Sequence, residues 1–547
     1  MSANGADIIV EVLRTEGVTH VFGNPGSTEM PLIDAIAGSG SISYILGLHE
    51  SCVIAMAEGY TMASGKPAVV NVHTMSGLGN AIGMLTNARV NGSPLIVTAG
   101  HQHQKLLISD PMLSHDLTGM TQTVTKWQHE PRHVDELGTM FRRAFNDVVT
   151  PPRGPVFLSL PVSLLSDESD LPVPPKSTIT QDAVAGGLDQ LAALLTEAGP
   201  QGAAIILGME VAQQDAIAAV IDLAERLGVA VYSAPNTSMG VFPPTHPLWA
   251  GMLSPMNSGM REVLGRYRRV LFIGGQAFQE VQYEGAGPVP GGVELLHLSS
   301  DGAWVGRVHP ATFATVGALS PSVAALARAI GAASAEACAA LAEASPRRIE
   351  AITRQEEHVL ALYGSAPIQP EAAVHAALRG AGPETIVVDE AVSGSSNVRR
   401  HHHWSRPRHM FSARQIIGWG MPAAVGVAIA HGGREPVLCI VSDGGATFSP
   451  QAVWTAARER MPVVFVVLVN REYGILKKYL KALNGYSVTA NDMRSVDLID
   501  PPIDYVLQAQ SYGVNALRIA SARELTEAVE AALKRNEPTL IEVPMAV

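Results

Sequence analysis

Residues 437–474 read VLCIVSDGGATFSPQAVWTAARERMPVVFVVLVNREYG, the pattern of a buried strand, a helix and a second buried strand. The first strand ends at Asp443, and the second ends at Asn470, 27 residues further on. A crossover of this length joins parallel neighbouring strands, so their carboxyl ends are expected to lie side by side. Ligands of open α/β sheets bind at that edge, which makes these two residues candidates for a binding site.

The residues at the two strand ends favour a magnesium–diphosphate site. The carboxylate of Asp443 and the amide oxygen of Asn470 are hard ligands, which Mg²⁺ combines with phosphate oxygens. Gly444 and Gly445 let backbone N–H groups approach a diphosphate. An Asp-Gly dipeptide alone is an ordinary turn. The prediction therefore depends on both strand ends together.

The rest of the chain repeats this alternation of apolar β-branched runs and Ala/Leu-rich runs. The 547 residues are too many for one small domain, and the alternation is typical of parallel α/β layers. We predict an α/β fold with three parallel-sheet domains at 1–170, 186–340 and 369–547. Two proline-bearing segments without this rhythm, 166–182 and 341–370, are interpreted as linkers.

Composition excludes several classes of function. The chain has 38 Lys and Arg against 50 Asp and Glu, and a net charge of −12 argues against a nucleic-acid-binding protein. No apolar window reaches the ~18 residues of a membrane span. The three cysteines are too scattered for a disulfide framework, and the first residues do not resemble a signal peptide. We expect a cytoplasmic protein without a nucleic-acid or membrane partner.

Together these motifs resemble the thiamin-diphosphate-dependent enzymes of the decarboxylase and acetolactate-synthase type. Those enzymes carry Gly-Asp-Gly, a crossover and Asn, and here Ser442 stands in place of the first Gly. In the first third, four segments are similar to those of the benzoylformate decarboxylases: VFGNPGSTEMP at 21–31, NVHTMSGLGNAIG at 71–83, SPLIVTAG at 93–100 and RGPVFLSLP at 153–161. The middle third matches only loosely.

The resemblance implies thiamin diphosphate and Mg²⁺ as cofactors and assigns a role to each domain. The first domain would bind the pyrimidine ring and the third would bind the diphosphate, with a central domain between them. The implied metal ligands are Asp443, Asn470 and the backbone carbonyl of Glu472. The other cofactor-binding residues implied by the resemblance are Asn24, Pro25, Gly26, Asn80, Ser393, Gln415, Ile417, Gly444, Gly445 and Tyr473.

Three residues are the implied catalytic groups. Glu50 would donate a hydrogen bond to the pyrimidine N1′, and we expect an apolar pocket that keeps it protonated part of the time. Its alternative role is a carboxylate that stabilises a helix N-terminus. Ser27 and His73 would line the substrate pocket, although His73 could also be an ordinary core histidine. Ile417 would wedge the cofactor into its bent form, and the alternative for Ile417 is the core.

Other features point away from the benzoylformate decarboxylases or remain open. Those enzymes have a second catalytic histidine in a segment resembling Gly274–Tyr283, where this chain has Val281 and no histidine. The run Arg399–His403 is interpreted as a solvated loop, with a basic rim for an anionic substrate as the alternative. His101 and His103 follow a strand and are candidates for pocket lining. The middle third has no G-x-G-x-x-G, so we predict no dinucleotide there.

The main hypothesis is a decarboxylase that converts a 2-oxo acid other than benzoylformate to an aldehyde and CO₂. The second is an acetolactate-synthase-like carboligase or C–C lyase. The third is a non-catalytic paralogue, against which the presence of Glu50, Asp443 and Asn470 argues. Because the cofactor of these enzymes bridges domains of two subunits, the resemblance also predicts a homo-oligomer, at least a dimer and by expectation a tetramer.

Overall fold

The computed structural model describes residues 2–546 and divides the chain into two compact units. The first unit contains the residues up to Thr178, Leu362–His401 and the residues from Gln415 onward. The second contains Ile179–Ala361 and His402–Arg414. The predicted domain limits at residues 1 and 547 lie outside the described residues. Three separate parallel sheets are present, so the predicted α/β fold class is confirmed.

The first domain is a six-stranded parallel sheet covered by helices. Its strands are β1 (Ala3–Asn4), β2 (His20–Asn24), β3 (Ser43–Leu46), β4 (Ala68–Val72), β5 (Leu95–His101), β6 (Gln128–His129), β7 (Val156–Pro161) and β8 (Glu168–Ser169). Its helices are α1 (Gly5–Glu16), α2 (Met30–Ser39), α3 (Glu50–Ser64), α4 (Thr74–Asn91), α5 (Leu117–Thr121), α6 (Leu137–Val149) and α7 (Val162–Ser166). The sheet order is β3–β2–β4–β5–β7–β6, and β1 pairs with β8 apart from it. The strands β4, β5 and β7 are buried along their whole length because helices cover both faces of the sheet.

The middle domain, in the second unit, has a parallel sheet of its own. Its strands are β9 (Ala203–Leu207), β10 (Ala230–Ser233), β11 (Trp249–Met252), β12 (Arg269–Ile273), β13 (Glu294–Ser299) and β14 (Phe313–Val316). Its helices are α8 (Leu188–Gly202), α9 (Glu210–Gln213), α10 (Ile217–Leu227), α11 (Asn257–Leu264), α12 (Leu319–Ile330) and α13 (Ala335–Ala361). The sheet order is β11–β10–β9–β12–β13–β14, so the chain builds outward from β9 in both directions.

The last domain repeats the architecture of the first. Its strands are β15 (Ile386–Glu390), β17 (Val437–Ser442), β18 (Val463–Val469), β19 (Asn515–Arg518) and β20 (Thr539–Pro544), and the intervening β16 (Met410–Ser412) belongs to the second unit. Its helices are α14 (Pro370–Ala381), α15 (Ser395–His401), α16 (Gly420–Ala430), α17 (Asp443–Ala446), α18 (Gln451–Arg458), α19 (Gly474–Leu483), α20 (Tyr486–Thr489), α21 (Tyr505–Ser511) and α22 (Ala522–Arg535). Within the first unit, β15–β17–β18–β20–β19 are parallel neighbours in that order.

The predicted linker at 341–370 is wrong over most of its length. Residues 335–361 form the single helix α13, which contains Pro346. Its Ala, Glu and Arg residues are strong helix formers, and summed over 27 residues they outweigh the local cost of one proline. No single described helix is long and apolar enough to span a membrane. The pair α12 and Ala335–Gly364, bent by 117°, meets the length and composition test only when taken together.

The prediction of a solvated loop for Arg399–His403 is also wrong. Arg399 to His401 form the last turn of α15, and the side chain of His401 is buried against Glu371, whose Oε1 lies 2.9 Å from its Nε2. His402 is buried, and burial lowers its pKa to about 4. Both imidazoles have a structural role because polar partners elsewhere in the chain hold them. The sequence of the five residues themselves does not reveal these partners.

Helices α3 and α16 join the first and last domains inside the first unit. A Cβ on Gly59 would lie 2.2 Å from the carbonyl oxygen of Ala423, and a Cβ on Gly426 would lie 1.8 Å from that of Met56. Only glycine fits at either position, so the backbones touch. The pairing of 59 with 423 and of 56 with 426 makes the helices antiparallel. The start of α16 therefore lies beside the later turns of α3.

Candidate active site

One group of predicted residues meets at the carboxyl edge of the first sheet. Glu50 is the first residue of α3, directly after β3, and it is buried. The amide of Asn24, which ends β2, donates to its Oε1 at 3.0 Å. The amide of Asn80, on α4, donates to its Oε2 at 3.0 Å. Three elements thus hold one carboxylate in a fixed orientation.

The surroundings of Glu50 are more polar than the predicted apolar pocket. Two side-chain amides contact its carboxylate, and a Cβ on Gly77 would lie 3.1 Å from its Oε1. Both partners are remote in sequence, which is why the polar surroundings were not predicted. Because Glu50 also stands in the first turn of α3, the structure is compatible with the helix-terminus role as well as the catalytic one.

His73 forms a pair with a buried glutamate that sequence reasoning missed. Its Nδ1 lies 2.8 Å from Oε2 of Glu29, whose side chain is 1% exposed. The carboxylate of Glu29 also accepts the N–H of Gly26 and of Gly100, each at 2.8 Å, and the hydroxyl of Thr28 at 2.8 Å. With Nδ1–H directed at Glu29, the imidazole presents Nε2 as its second functional atom.

The glycine turn after β2 fits around the ring of His73. A Cβ on Gly26 would lie 2.3 Å from that ring, so a larger residue would displace the imidazole. Ser27 follows in a 3-10 turn, Ser27–Glu29, and is exposed, while Pro25 is half-buried. The structure thus brings Asn24, Pro25, Gly26, Ser27 and His73 to one edge. The signal that could have revealed Glu29 is its position in the quoted motif, two residues after Ser27.

The second group lies at the carboxyl edge of the last sheet. Strands β17 and β18 are parallel neighbours, which puts Asp443 beside Asn470. The backbone N–H of Asn470 donates to Oδ2 of Asp443 at 3.1 Å, that of Arg471 donates to the same atom at 2.6 Å, and that of Gly444 donates to Oδ1 at 2.8 Å. The carboxylate is buried, and burial raises its pKa.

Glycines leave an open cradle beside this carboxylate. A Cβ on Gly444 would lie 2.8 Å from the ring of Tyr473, and a Cβ on Gly445 would lie 3.1 Å from Oγ of Ser442. Ser442, which replaces the family's first Gly, caps the turn by accepting the N–H of Gly445 at 3.1 Å. The hydroxyl of Tyr505, not predicted, donates to the carbonyl of Asp443 at 3.0 Å and fixes the turn from behind.

The donor set fits a divalent cation and a diphosphate. Three backbone N–H groups donate to the buried carboxylate of Asp443. No ion pair found among residues 2–546 includes Asp443, so this carboxylate has no cationic side chain as its partner. Asn470 contributes an amide oxygen, and Glu472 has its side chain bound to Lys477 at 2.6 Å, leaving its backbone carbonyl for a ligand. Across the same residues, no group of three or more His, Cys, Asp or Glu side chains could hold a metal ion without other ligands.

A loop before α16 presents the predicted wedge. Ile417 is 41% exposed, and Gln415 donates its N–H to Oδ1 of Asn87 at 3.3 Å. Gly418 has φ +90°, a conformation that favours glycine. Sequence reasoning missed Glu390, whose buried carboxylate accepts the N–H groups of Gly418, Trp419 and Gly420. Burial raises the pKa of Glu390 to about 7.

Ser393 lies near the same edge. It is exposed in the 3-10 turn Val392–Gly394, directly after β15, and Val392 has φ +53°. The turn follows Glu390 closely in sequence. Ser393 therefore lies near the carboxylate that accepts hydrogen bonds from the loop carrying Ile417. No contact between Ser393 and the other predicted cofactor residues is shown among the described residues.

Contacts with the last domain run along α3. Near the start of α3, Sγ of Cys52 lies 3.8 Å from Oε1 of Gln451. Further along, Glu58 accepts a hydrogen bond from Nε1 of Trp419 at 2.8 Å, so the loop that carries Ile417 lies near Glu58. A Cβ on Gly445 would lie 3.4 Å from the carboxyl carbon of Glu390, which places the turn after β17 near that loop as well.

Comparisons with known proteins identify the family of each of the three domains. Models of thiamine pyrophosphate enzymes match residues 3–125 as the N-terminal TPP-binding domain, 188–326 as the central domain and 393–543 as the C-terminal TPP-binding domain. Benzoylformate decarboxylase of Pseudomonas aeruginosa is 33% identical over 98% of this chain and 97% of its own. The acetolactate synthase large subunit of Haemophilus influenzae is 24% identical over 99% and 94%.

Two solved structures are similar over almost the whole chain. The thiamine diphosphate-dependent 4-hydroxybenzoylformate decarboxylase of Rhodococcus jostii RHA1 has a TM-score of 0.89 and 29% identity, covering 99% of both chains. Benzoylformate decarboxylase of Polynucleobacter necessarius has a TM-score of 0.88 and 27% identity, covering 99% of this chain and 98% of that one.

Proposed function

This chain belongs to the thiamine pyrophosphate enzyme family, and we propose that it is a Mg²⁺-dependent decarboxylase that converts a 2-oxo acid to an aldehyde and CO₂. Its family includes enzymes of the decarboxylase and of the acetolactate synthase type. The observation that carries the proposal is the His73–Glu29 pair on the same sheet edge as Glu50. A decarboxylase needs a proton donor beside the group that activates the cofactor.

Thiamin diphosphate, when bound, supplies a nucleophilic carbon and an electron sink for the loss of CO₂. The residues of this chain would hold and orient the cofactor and supply protons to the reacting groups. Asp443, Asn470 and the carbonyl of Glu472 would bind Mg²⁺, and the cradle at Gly444 and Gly445 would admit the diphosphate. Tyr505 and Ser442 keep that turn in place through their hydrogen bonds.

Glu50 would hold a proton at its carboxyl group, facing the pyrimidine ring. Asn24 and Asn80 fix the direction of that group, because each donates to one of its oxygens. Ile417 would support the cofactor from the other domain, and Glu390 orients the loop that carries it through three N–H groups. These supports matter because a misplaced proton-transferring group loses much of its catalytic effect.

His73 would move a proton at Nε2. Glu29 accepts Nδ1–H and thus fixes the tautomer whose Nε2 is free to take up a proton and to give it on. General acid catalysis by such a group contributes roughly 10²–10⁴-fold. Ser27 is exposed at the same edge and would contact the substrate's carboxylate or carbonyl through its hydroxyl.

We further propose a homo-oligomer whose site is shared between copies. The proposal is supported by membership of the thiamine pyrophosphate enzyme family, in which the cofactor is expected to bridge domains of two subunits. Mixing Glu50→Gln with Asp443→Ala subunits tests this. A shared site would restore about a quarter of the wild-type activity in a 1:1 mixture, since each mixed dimer has one intact site. A mixture as inactive as its components would contradict a shared site.

The second candidate function is carboligation of the acetolactate synthase type. It is favoured by the similarity to the Haemophilus influenzae enzyme and by Val281, which stands where a second catalytic histidine is expected. A panel of 2-oxo acids assayed for CO₂ release, with product analysis in the presence of an aldehyde, separates the two functions. Free aldehyde as the main product supports the decarboxylase, and a hydroxyketone supports the carboligase. No CO₂ from any 2-oxo acid would refute both.

A further inference from the structure

A second histidine–carboxylate pair lies at the carboxyl edge of the first sheet. His101 ends β5, and its side chain is 6% exposed. Its Nδ1 lies 2.7 Å from Oε2 of Glu130, and the hydroxyl of Ser159 donates to the same oxygen at 2.6 Å. This arrangement repeats the pair of His73 and Glu29 on the neighbouring strand.

The other ring nitrogen of His101 leads toward the surface. Its Nε2 lies 3.3 Å from Oγ of Ser114, a half-buried residue. The preceding residue, Leu113, has φ +65°, a conformation that a bulky residue rarely adopts. Backbone strain next to a hydroxyl that contacts a buried imidazole is typical of a functional site.

The two histidine pairs share a hydrogen-bonded frame. Strands β4 and β5 are parallel neighbours, with Val72 opposite Ala99. Glu29, which holds His73, also accepts the N–H of Gly100, the residue before His101. His101 is therefore tied to the same carboxylate that orients His73, and both imidazoles belong to one rigid edge.

Glu130 is held as a hydrogen-bond acceptor for His101. Burial alone would raise the pKa of Glu130, but the hydrogen bonds from His101 and Ser159 outweigh it and hold the pKa below its ordinary value. Asp116 acts on Glu130 through its charge, and His115 lies beside Asp116 on the exposed loop. The carboxylate of Glu130 therefore holds Nδ1 of His101 at 2.7 Å and leaves Nε2 facing Ser114.

The proposed reaction needs such a proton. Decarboxylation of a 2-oxo acid anion, RCOCOO⁻ + H⁺ → RCHO + CO₂, consumes one proton in each turnover. Relatives of the benzoylformate decarboxylase type are expected to use a second histidine, but the segment Gly274–Tyr283 contains none. His73 alone would have to perform every proton step unless another donor exists.

We propose that Glu130, His101 and Ser114 form a proton relay that delivers this proton, with the Ser114 hydroxyl as the group that meets the substrate. Ser114 Oγ gives its proton to the developing product and takes one from Nε2 of the His101 imidazolium. The imidazole keeps its Nδ1 proton on Glu130 and regains the Nε2 proton from water. The relay rests on the proposed function.

Two measurements test the relay. His101→Gln keeps a polar side chain but cannot transfer a proton, so kcat for CO₂ release should fall by about 10²-fold or more while KM changes little. His133→Gln is the matched control, because His133 is an exposed histidine beside a carboxylate, 67% exposed next to Asp135. Control and wild type should have the same kcat.

The second measurement does not depend on activity. Ser114→Cys, in a Cys338→Ser background that removes the exposed native thiol, places a thiol beside Nε2 of His101. The rate of its alkylation against pH should report a thiol pKa well below the ordinary ~8.5, and the added change His101→Gln should restore the ordinary value.

The outcomes separate the relay from the proposed function. Full kcat in His101→Gln, with an active wild type, overturns the relay and leaves the decarboxylase intact. If the thiol introduced by Ser114→Cys has an ordinary pKa, or one independent of His101, the relay is overturned whatever the wild type does. Absence of CO₂ release by the wild type overturns the proposed function, and the relay as its proton donor falls with it.

Discussion

Replacing Glu29 by glutamine tests the central support of the first sheet edge. The carboxylate is 1% exposed and accepts four hydrogen bonds: Oε1 receives Gly100 N–H and Thr28 O–H, and Oε2 receives Gly26 N–H and His73 Nδ1–H. Glutamine has the same shape, but one of its two terminal atoms donates instead of accepting. The substitution therefore changes hydrogen bonding with almost no change in volume.

The expected loss of stability depends on which hydrogen-bond donors face the new NH₂ group. If NH₂ replaces Oε1, Thr28 can rotate to accept, but the N–H of Gly100 loses its acceptor. If NH₂ replaces Oε2, His73 can change tautomer to accept, but the N–H of Gly26 loses its acceptor. Either orientation leaves one buried N–H unsatisfied, which costs about 1–3 kcal/mol. The second orientation also removes the proton from His73 Nδ1 and so reverses the role of Nε2.

Amide hydrogen exchange measures this cost where it arises. Either the peptide covering Gly26 or the one covering Gly100, depending on the orientation of the new amide, should exchange about 5–150-fold faster in Glu29→Gln than in the wild type, which corresponds to about 1–3 kcal/mol of local opening free energy. Glu262→Gln is the control, because Glu262 is 73% exposed and its change should leave all peptides unaltered. Unchanged protection at both glycines would refute the assignment of Glu29 as their shared acceptor.

Four further predictions concern the other supports. Asp443→Ala should abolish thiamin diphosphate binding in the presence of Mg²⁺, measured by calorimetry, because the buried carboxylate is the central metal ligand of the proposed site. Glu50→Gln should keep the cofactor but lose most exchange of its C2 proton for deuterium, followed by NMR, because glutamine cannot hold and return a proton. Gly426→Ala should lower the melting temperature, with a cost of about 1–3 kcal/mol or more, because its Cβ would lie 1.8 Å from the carbonyl of Met56. Burial raises the pKa of Glu390 from 4.5 to about 7, so the folded state binds this proton more tightly than the unfolded chain and the free energy of unfolding falls as pH rises through that window. Glu390→Gln should flatten this slope in melting curves between about pH 5 and pH 8, and an unchanged slope would argue against Glu390 as its source.

The parts of the site that could be predicted are those fixed by strand ends. Asp443 and Asn470 follow two long apolar strands, and parallel pairing forces their backbones together. Glu50 and His73 follow β3 and β4 in the same way. Apolar runs and the residues that end them are local features of a sequence, so the amino-acid order alone is enough to place them.

The supports could not be predicted because their partners are remote. Glu29 accepts donors from residues 44 and 71 positions away, and Glu390 accepts donors 28 to 30 positions away. Glu29 lies in a 3-10 turn, and Glu390 ends β15 but is bound to a loop that comes much later in the chain. The run Arg399–His403 misled for the opposite reason, because its letters suggest solvent although Glu371, 30 residues earlier, holds His401 in a buried position.

Hydrogen-bond capacity distinguishes the buried glutamates of the first unit from one another. Glu29 and Glu58 each receive four donors, and Glu390 receives three. A carboxylate accepts about four hydrogen bonds, so these groups are close to saturated and serve to fix the fold. Glu50 receives two, from Asn24 and Asn80, although it is almost as buried. A buried carboxyl group with unused capacity is costly unless a ligand completes it. Glu542, the fifth buried glutamate of this unit, also receives two donors, but both come from the guanidinium of Arg518, so a cation balances its charge. Glu50 receives its two donors from neutral amides, and this difference supports it, among the five, as the one that meets the cofactor.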